Sequence, residues 1–356
     1  MVSEADQTRK AARRTRATSF DVAELAGVSQ STVSRALAGD PVVSEMTRER
    51  VKRAAEELHY SIDQNATRLR TGRTDVIAVV VICRPGELKG DMNPFYYSLL
   101  GNICSAISAA GCDALTSFQD SAANLNGYYE SNRRADGLIV IGTAENTEAW
   151  AHFREVADSG ANMVCWGAPY QDQNWVRSDN VAGGELAAQV LLDSGYKSNV
   201  YIGSVTSLQR QYTERFDGFS KALRAAGQTP VIAQIDPALS RIDQGREAVR
   251  GMIETGMKFD GIFAACDQIA LGAMQELQAR GVRIPDEVGV VGFDGINAGE
   301  HVVPSLTTIE PDLPLAAELL VKRLKSMMAG KPDDEWLVPV RLIVRGSTAR
   351  GASHQA

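Results

Sequence analysis

Eight short apolar runs, rich in β-branched residues, recur between residues 75 and 293 and alternate with helix-like segments. Runs of this length, bounded by turn residues, are typical of strands buried on both faces of a parallel sheet. In chain order they are DVIAVVVI (75–82), CDALTSF (112–118), GLIVIG (137–142), NMVCWG (162–167), NVYIG (199–203), PVIAQI (230–235), GIFAA (261–265) and VGVVGF (288–293). Strand–helix alternation predicts an α/β fold of parallel sheets with right-handed crossovers.

The runs fall into two series, the first with a predicted helix at about 94–110 and the second opening with a predicted helix at about 181–194. Two series of this kind predict two similar lobes, each a doubly wound parallel sheet with helices packed on it. Ligands of such sheets bind beyond the carboxyl ends of the strands. A cleft between the lobes is therefore the expected ligand site.

Three short helices are predicted ahead of the sheets. Thr18, followed by an acid at Asp21, is typical of the N-cap of the first helix. Gly27 supplies the left-handed residue after that helix, and Ser29 caps the second. Their apolar stripes comprise Val22, Leu25 and Ala26 on the first helix, Val33, Ala36 and Leu37 on the second, and Val51, Ala54, Ala55 and Leu58 on the third, which begins at Ser44. The result is a small unit with a helix-turn-helix at its centre.

The second of these helices carries Gln30 and Ser31 at its N-terminal end and Arg35 one turn further on. Arg matches the two acceptors on guanine and Gln can pair with adenine, so this helix can lie in a DNA major groove. The alternative is a solvated polar face on a small bundle. The charge distribution favours DNA, because residues 1–74 carry 13 Lys and Arg against 10 Asp and Glu, whereas the remainder has a net charge of −10.

Residues 1–17 form a basic arm that either adds phosphate contacts or is only a flexible tail. Its cations are Arg9, Lys10, Arg13, Arg14 and Arg16. The arm lacks the apolar segment of a secretory signal, and no run of about 18 apolar residues predicts a membrane span. The five cysteines (Cys83, Cys104, Cys112, Cys165 and Cys266) contain no CxxC pair. We therefore expect reduced thiols in a cytoplasmic protein.

An enzyme is not expected. The four histidines are scattered, and the sequence lacks HExxH, GxSxG, a Walker lysine motif and GxGxxG. Asp267 and Asp294 can imitate a catalytic carboxylate pair, but one is better explained as a helix cap and the other as a polar cleft residue. No spacing supports metal ligation, and no cofactor is expected.

Ten stretches along the chain match one family in order: DVAELAGVSQSTVSRAL (21–37), LRTGRT (69–74), NPFY (93–96), ADGLIVIG (135–142), SDNVAGG (178–184), RFDGF (215–219), DQIALGAM (267–274), VGFDG (291–295), PSLTT (304–308) and VRGST (344–348). By these the chain resembles the bacterial lactose-repressor/galactose-repressor family of transcription regulators. The resemblance implies a helix-turn-helix head, a hinge helix and a two-lobed core similar to periplasmic sugar-binding proteins. It also implies a dimer on double-stranded operator DNA, whose affinity a small effector in the cleft changes.

The resemblance also implies DNA-contacting positions. Base reading falls to Gln30, Ser31 and Arg35, phosphate contact to Thr18, Thr47 and Tyr60, and minor-groove insertion to the hinge residue Leu69, with Ala66 beside it. The hinge departs from the family pattern. Ile62 and Asp63 stand where Pro-Asn is usual, and Thr67 replaces an Arg. These changes should weaken phosphate contact, which Arg68 and Arg70 can offset.

For the effector, the resemblance implies a site made of Phe95, Tyr96, Trp166, Arg215, Cys266 and Asp294. An Arg–Asp pair can clamp a hydroxylated ring and the aromatic rings supply stacking faces. The alternatives are plain core for the aromatic residues and a surface or interlobe ion pair for Arg215. Cys266 stands where many sugar-binding members have Asn, Pro311 where Gln is common, and no aromatic residue lies around Ser240. A sugar remains the expected effector class.

These inferences predict an arm (1–17), a helix-turn-helix domain (18–62), a hinge (63–74), a core (75–348) and a tail (349–356), with the chain crossing between the lobes near 167–180 and 295–312. The predicted function is a sequence-specific transcriptional repressor controlled by a sugar. The alternatives are a purine-type corepressor-dependent regulator and a sugar-binding transport protein, the latter disfavoured by the head. Because no Leu follows Leu342, a C-terminal leucine heptad is not expected, and we predict a homodimer.

Overall fold

The computed structural model describes residues 17–60, 73–86, 92–170, 172–206, 210–331 and 336–350. The chain divides into two compact units, Met1–Thr74 and Asp75–Ala356. The predictions for the basic arm before residue 17 and for the hinge, including Ala66 and Leu69, lie outside the described residues.

The described part of the first unit contains three helices, as predicted: α1 (Ser19–Ala26), α2 (Gln30–Leu37) and α3 (Glu45–Glu57). Thr18 is the N-cap of α1, and its backbone N–H donates to Asp21 Oδ2 over 2.7 Å while its hydroxyl accepts from the Asp21 N–H. The Thr18 backbone N–H and hydroxyl both donate to the Asp21 carboxylate and hold its pKa below its usual value. Gly27 has a φ of 61°, and Ser29 caps α2. Local signals alone therefore specify both sides of the turn.

The core of this unit is built from small and branched side chains: Val22, Ala23, Ala26, Val33, Ala36, Val43, Val51, Ala54 and Ala55. The prediction that Leu25 packs with Val22 and Ala26 is wrong, because 48% of Leu25 is exposed. The buried face of α1 is centred on Val22, Ala23 and Ala26. Leu25 lies roughly 100° around the helix from that centre.

The second unit has two lobes, each with a six-stranded sheet. The first-lobe strands, in spatial order, are β11 (Trp336–Val338), β5 (Trp175–Ser178), β4 (Met163–Trp166), β3 (Gly137–Gly142), β1 (Val76–Ile82) and β2 (Asp113–Gln119). Helices α4 (Pro94–Ala109), α5 (Thr147–Asp158) and α10 (Leu313–Met328) accompany them. All pairings in this sheet are parallel.

The second-lobe strands, in spatial order, are β12 (Val340–Ile343), β10 (Thr307–Pro311), β9 (Gly289–Phe293), β8 (Gly261–Ala264), β6 (Asn199–Ile202) and β7 (Val231–Ala233). Helices α6 (Asn180–Asp193), α7 (Arg210–Ala225), α8 (Arg241–Glu254) and α9 (Asp267–Ala279) accompany them. All eight predicted runs form strands, and each lies in the predicted lobe. The sheet is parallel except for β12, which pairs antiparallel with β10.

Within the residues that the structure describes, the chain passes between the lobes three times, through Asp179, Asp312 and Pro339. The third passage is absent from the sequence prediction, because β11 and β12 have only three and four residues and carry no periodic signal. Within the described part of the chain, no helix has the length and apolar character needed to cross a membrane.

Candidate nucleic-acid interface and ligand cleft

The sequence-predicted reading residues lie on the exposed side of α2. Gln30, Ser31 and Arg35 are exposed, whereas Val33 and Ala36 on the opposite side are buried in the core of the head. The Gln30 Nε2 atom donates to Ser19 Oγ over 3.2 Å, and Ser31 Oγ lies 2.9 Å from Ser29 Oγ. Arg35 forms no ion pair with residues 17–60, so its guanidinium is available to a partner outside the head.

The three residues predicted to contact phosphate differ in their surroundings. The hydroxyl of Thr18 is engaged in the cap of α1. Thr47 is half-buried and its Oγ1 lies 2.9 Å from Ser44 Oγ at the start of α3. Tyr60 is also half-buried and packs against the core of the head.

The cleft between the lobes forms where the strands of both sheets end. Its wall comprises Ile82, Arg84, Met92, Asn93, Phe95, Tyr96, Thr143, Trp166 and Ser178 from the first lobe, and Gln211, Tyr212, Arg215, Arg241 and Asp294 from the second. The switch in strand order at β1, with β2 on one side and β3 on the other, leaves space for a ligand at this edge. Five of the six sequence-predicted effector residues lie on this wall.

Arg215, on the wall of the cleft, is contacted by four groups of the second lobe. Its Nε donates to Asn180 Oδ1 over 3.0 Å, and its NH1 donates to the Ala265 carbonyl. Its NH2 lies 3.6 Å from Asp294 Oδ1, and its guanidinium carbon lies 3.5 Å from the centroid of the Phe293 ring. Arg215 is therefore fixed before any ligand binds.

Asp294 joins the two lobes through one hydrogen bond. Asn93 is the N-cap of α4 in the first lobe, and its Nδ2 donates to Asp294 Oδ2 over 2.9 Å. Burial raises the pKa of Asp294, and the opposing effects of Arg215 and Asn93 only partly reverse this shift. Asp294 also has a φ of 118°, a conformation that non-glycine residues adopt rarely.

Aromatic rings form the first-lobe side of the cleft. Phe95 packs edge-on against Tyr96 with 5.5 Å between the ring centroids, and its centroid lies 6.0 Å from that of Trp166. All three residues are buried in the core of the lobe as well as lining the cleft. The packing and binding interpretations of these residues are therefore compatible.

Cys266 lies behind the cleft and does not form part of its wall. It is 1% exposed, and burial raises the pKa of its thiol to about 11. It is the N-cap of α9 without making a side-chain capping bond. Asp267, which we expected to cap a helix, instead accepts from Thr308 Oγ1 and the Ile296 N–H. Its buried carboxylate lies beside β9 and is directed toward β10 and the loop that follows β9.

Four wall residues outside the predicted set make contacts between the lobes. Gln211 Nε2 donates to the Gly167 carbonyl over 2.9 Å. Arg84 NH1 donates to the Leu239 carbonyl over 3.0 Å, and Arg241 NH2 lies 2.8 Å from Glu145 Oε1.

Of these four residues, only Asn93 has a sequence signal, because it precedes Pro94 in NPFY and this pair is typical of a helix N-cap. Neither arginine has a local signal, because its partners are distant in the chain.

Residues 20–63 match the family described as "Bacterial regulatory proteins, lacI family", and residues 188–348 match the "Periplasmic binding protein-like domain". The chain is 30% identical over 338 residues to the "HTH-type transcriptional regulator CelR" of Thermobifida fusca, covering 93% of this chain and 96% of that protein.

Two solved structures are similar over nearly the whole chain. One is a complex of the regulator CelR with cellobiose, with 28% identity, a TM-score of 0.66 and coverage of 93% of this chain and 100% of the other. The second is a lac repressor dimer bound to operator and the anti-inducer ONPF, with 26% identity, a TM-score of 0.74 and coverage of 94% and 99%.

Proposed function

Since this chain belongs to the lacI family of bacterial regulatory proteins, which are DNA-binding transcriptional regulators, we propose that it is a dimeric repressor whose operator affinity is set by a sugar bound between the lobes. The composition of the cleft is the observation that supports effector binding. Aromatic rings from the first lobe face an Arg–Asp pair from the second, and Asn93 bridges them. Such a wall suits a ring with an apolar face and hydroxyl edges.

On the DNA side, we assign base reading to Gln30, Ser31 and Arg35. Gln30 and Ser31 open α2, where the residues of a recognition helix reach base edges, and Arg35 follows about one turn further along the helix. The exposure of all three residues supports this assignment. Thr18, Thr47 and Tyr60 are assigned to phosphate contact, which fixes register and carries no sequence information directly.

In the cleft, we assign ring stacking to Phe95, Tyr96 and Trp166, and hydroxyl binding to Arg215 and Asp294. Cys266 is not assigned a ligand contact because it lies behind the wall. A ligand that touches both lobes stabilises one lobe angle, and the segment leading to the head enters the first lobe at β1. Differential binding to two lobe arrangements, with a coupling of about 1–3 kcal/mol, would be enough for regulation.

Selection from random DNA tests the reading of the head. We expect a pseudo-palindrome of roughly 16–20 base pairs, because a dimer presents two reading helices one helical turn or more apart. Arg35→Ala should cost about 1–3 kcal/mol on the preferred site and relax base choice at one position in each half-site. Arg53→Ala, an exposed arginine on α3, is the control and should leave base preference intact. A selection that enriches no symmetric motif contradicts the proposal.

The effector half is tested by fluorescence anisotropy on the selected operator with sugars and nucleobases added in turn. At least one sugar should shift operator affinity. A response to nucleobases alone would instead support the purine-type corepressor alternative.

A further inference from the structure

Asp294 lies on the wall of the cleft in a rare backbone conformation. Its φ is 118°, and Gly295, the next residue, has a φ of 70°. A non-glycine residue with a positive φ persists only where the surrounding structure holds it. The conformation sets the direction in which the Asp294 carboxylate leaves the backbone. The groups that hold the turn after β9 therefore decide whether this carboxylate reaches Arg215 and Asn93.

The neighbouring strand β10 holds the first two residues of this turn. The Asp294 N–H donates to the Ile309 carbonyl over 2.9 Å, which extends the pairing of β9 with β10. The Gly295 N–H donates to Thr308 Oγ1 over 3.4 Å. Because the second bond depends on a side chain, a substitution can remove it without changing the backbone pairing.

Asp267, the first residue of α9, holds the third residue of the turn and orients Thr308. Its Oδ2 accepts from the Ile296 N–H over 2.8 Å, and its Oδ1 accepts from Thr308 Oγ1 over 2.6 Å. The same carboxyl group packs against β9, because a β-carbon at Gly292 would overlap Asp267 Oδ1. Asp267 therefore contacts the chain on both sides of Asp294.

Asp267 and Thr308 are not placed to meet a ligand themselves. Both are fully buried, and neither is among the described residues of the cleft wall. Burying a carboxyl group is costly, and an apolar side chain would fill a core without that cost. The hydrogen bonds of Asp267 and Thr308 go to each other and to the backbone around Asp294, so these two side chains act on the position of that residue.

We propose that Asp267 and Thr308 are positioning residues of the effector site, which hold Asp294 in the conformation that directs its carboxylate into the cleft. This inference rests on the proposed function, since it explains how the same site is set before a ligand binds. Removing the Thr308 hydroxyl leaves the Gly295 N–H without its acceptor and Asp267 without one donor. Asp294 can then relax to a negative φ, which turns its side chain away from Arg215.

Thr308→Val tests this inference in the full-length protein, because it replaces the hydroxyl with a methyl group of similar size. Thr308→Ser is the conservative variant, since it keeps the hydroxyl and removes the methyl group. In a crystal structure of Thr308→Val, the φ of Asp294 should be negative. Its Oδ1 should lie more than about 4 Å from Arg215 NH2, which is beyond ion-pair distance. Thr308→Ser should keep the φ and the ion pair.

Thr307→Val is the matched control on the same strand. Thr307 is equally buried, and its hydroxyl accepts from the Arg345 N–H over 2.9 Å and lies 2.8 Å from Thr348 Oγ1. These partners follow β12 in the chain and do not belong to the turn after β9. Thr307→Val should therefore destabilise the core to a similar degree and leave Asp294 in place.

Fluorescence anisotropy on the selected operator measures the effect on the effector site, with glucose, galactose, xylose and maltose as probes. For a sugar that shifts operator affinity, Thr308→Val should raise the half-maximal sugar concentration about tenfold or more. Thr308→Ser and Thr307→Val should change it by less than about threefold. Loss of the hydroxyl, rather than loss of packing, then accounts for the weaker response.

The outcomes separate this inference from the proposed function. A Thr308→Val structure in which Asp294 keeps its φ and its distance to Arg215 would overturn the inference and leave the proposed function standing. The inference also fails if Thr308→Ser or Thr307→Val weakens the sugar response as strongly as Thr308→Val. If no sugar shifts operator affinity, the proposed function fails, and the crystal structures of the variants still decide the inference.

Discussion

Arg215→Ala is expected to abolish the ligand response and to lower the free energy of unfolding of the core by about 3–5 kcal/mol. The substitution removes the guanidinium that faces Asp294 and leaves Asn180 Oδ1 and the Ala265 carbonyl without their donor. Because Asp294 stays buried, its charge then has only Asn93 as a hydrogen-bond partner among the described side chains. An unpaired buried charge accounts for most of the expected loss.

The pH dependence of this variant follows from the raised pKa of Asp294. An acid whose pKa is higher in the folded than in the unfolded state gains stability as the pH falls through the folded pKa toward the unfolded value. Loss of Arg215 should raise the pKa of Asp294 further. Arg215→Ala should therefore recover part of its lost stability on acidification, and adding Asp294→Asn should recover part of it at neutral pH.

Denaturant unfolding and operator titration measure the two effects. If the effector is an inducer, the variant should still bind operator but no longer release it on ligand addition. If it is a corepressor, the variant should fail to bind tightly under any condition. Arg224→Ala, on the exposed end of α7, is the control. A variant at Arg215 that responds normally to the effector would remove this residue from the site.

Gly245→Ala is expected to destabilise the core by about 3 kcal/mol or more. A β-carbon at Gly245 would lie 2.0 Å from the Ile269 carbonyl oxygen and 2.7 Å from the Ala273 amide nitrogen. Both atoms belong to the backbone of α9, so no side chain can rotate to make room. Gly272 on α9 meets the backbone of α8 in the same way. The methyl group must therefore push apart two helices that touch through their backbones.

Gly251→Ala provides the matched control on the same helix. A β-carbon there meets nothing within 4 Å. Alanine should therefore stabilise α8 by about 0.5–1 kcal/mol through its higher helix propensity. Urea unfolding of the two variants gives the comparison, and equal effects would contradict the helix contact at Gly245.

Local signals in the sequence predict much of this fold. The cap of α1 depends on Thr18 and Asp21, three residues apart, and the turn after it depends on Gly27. The eight apolar runs predict eight strands for a similar reason, since each is a contiguous stretch of a few residues. The expected burial on both faces does not hold for β2 and β7, because each lies at the edge of its sheet and is partly exposed. The predicted polar face of α2 is exposed, because the apolar residues on the opposite side of the helix pack into the core of the head.

The strand–helix alternation predicts the place of the cleft, but its residues could be predicted only where the family resemblance reached them. Phe95, Arg215 and Asp294 stand in matching motifs, whereas Arg84 and Arg241 do not. Cys266 shows the limit of carrying a position over, because a buried thiol behind the wall replaces a side chain expected on it. Leu25 shows that apolar periodicity along a helix does not by itself predict burial, because the neighbouring helices decide which residues of the apolar stripe are covered.

The sequence by itself determined the three helices of the head, the caps of α1 and α2, and the eight apolar strands in their order, because each depends on residues a few positions apart. It did not predict the short strands β5, β10, β11 and β12, which are not among the eight apolar runs. Only the tertiary structure decided which charged side chains line the cleft and the close approach of helices at Gly245. Asn93 and Asp294 are 201 positions apart, and Arg84 and Leu239 are 155 apart. No local pattern carries such pairings, since they form only when both lobes have folded and their strand ends face each other.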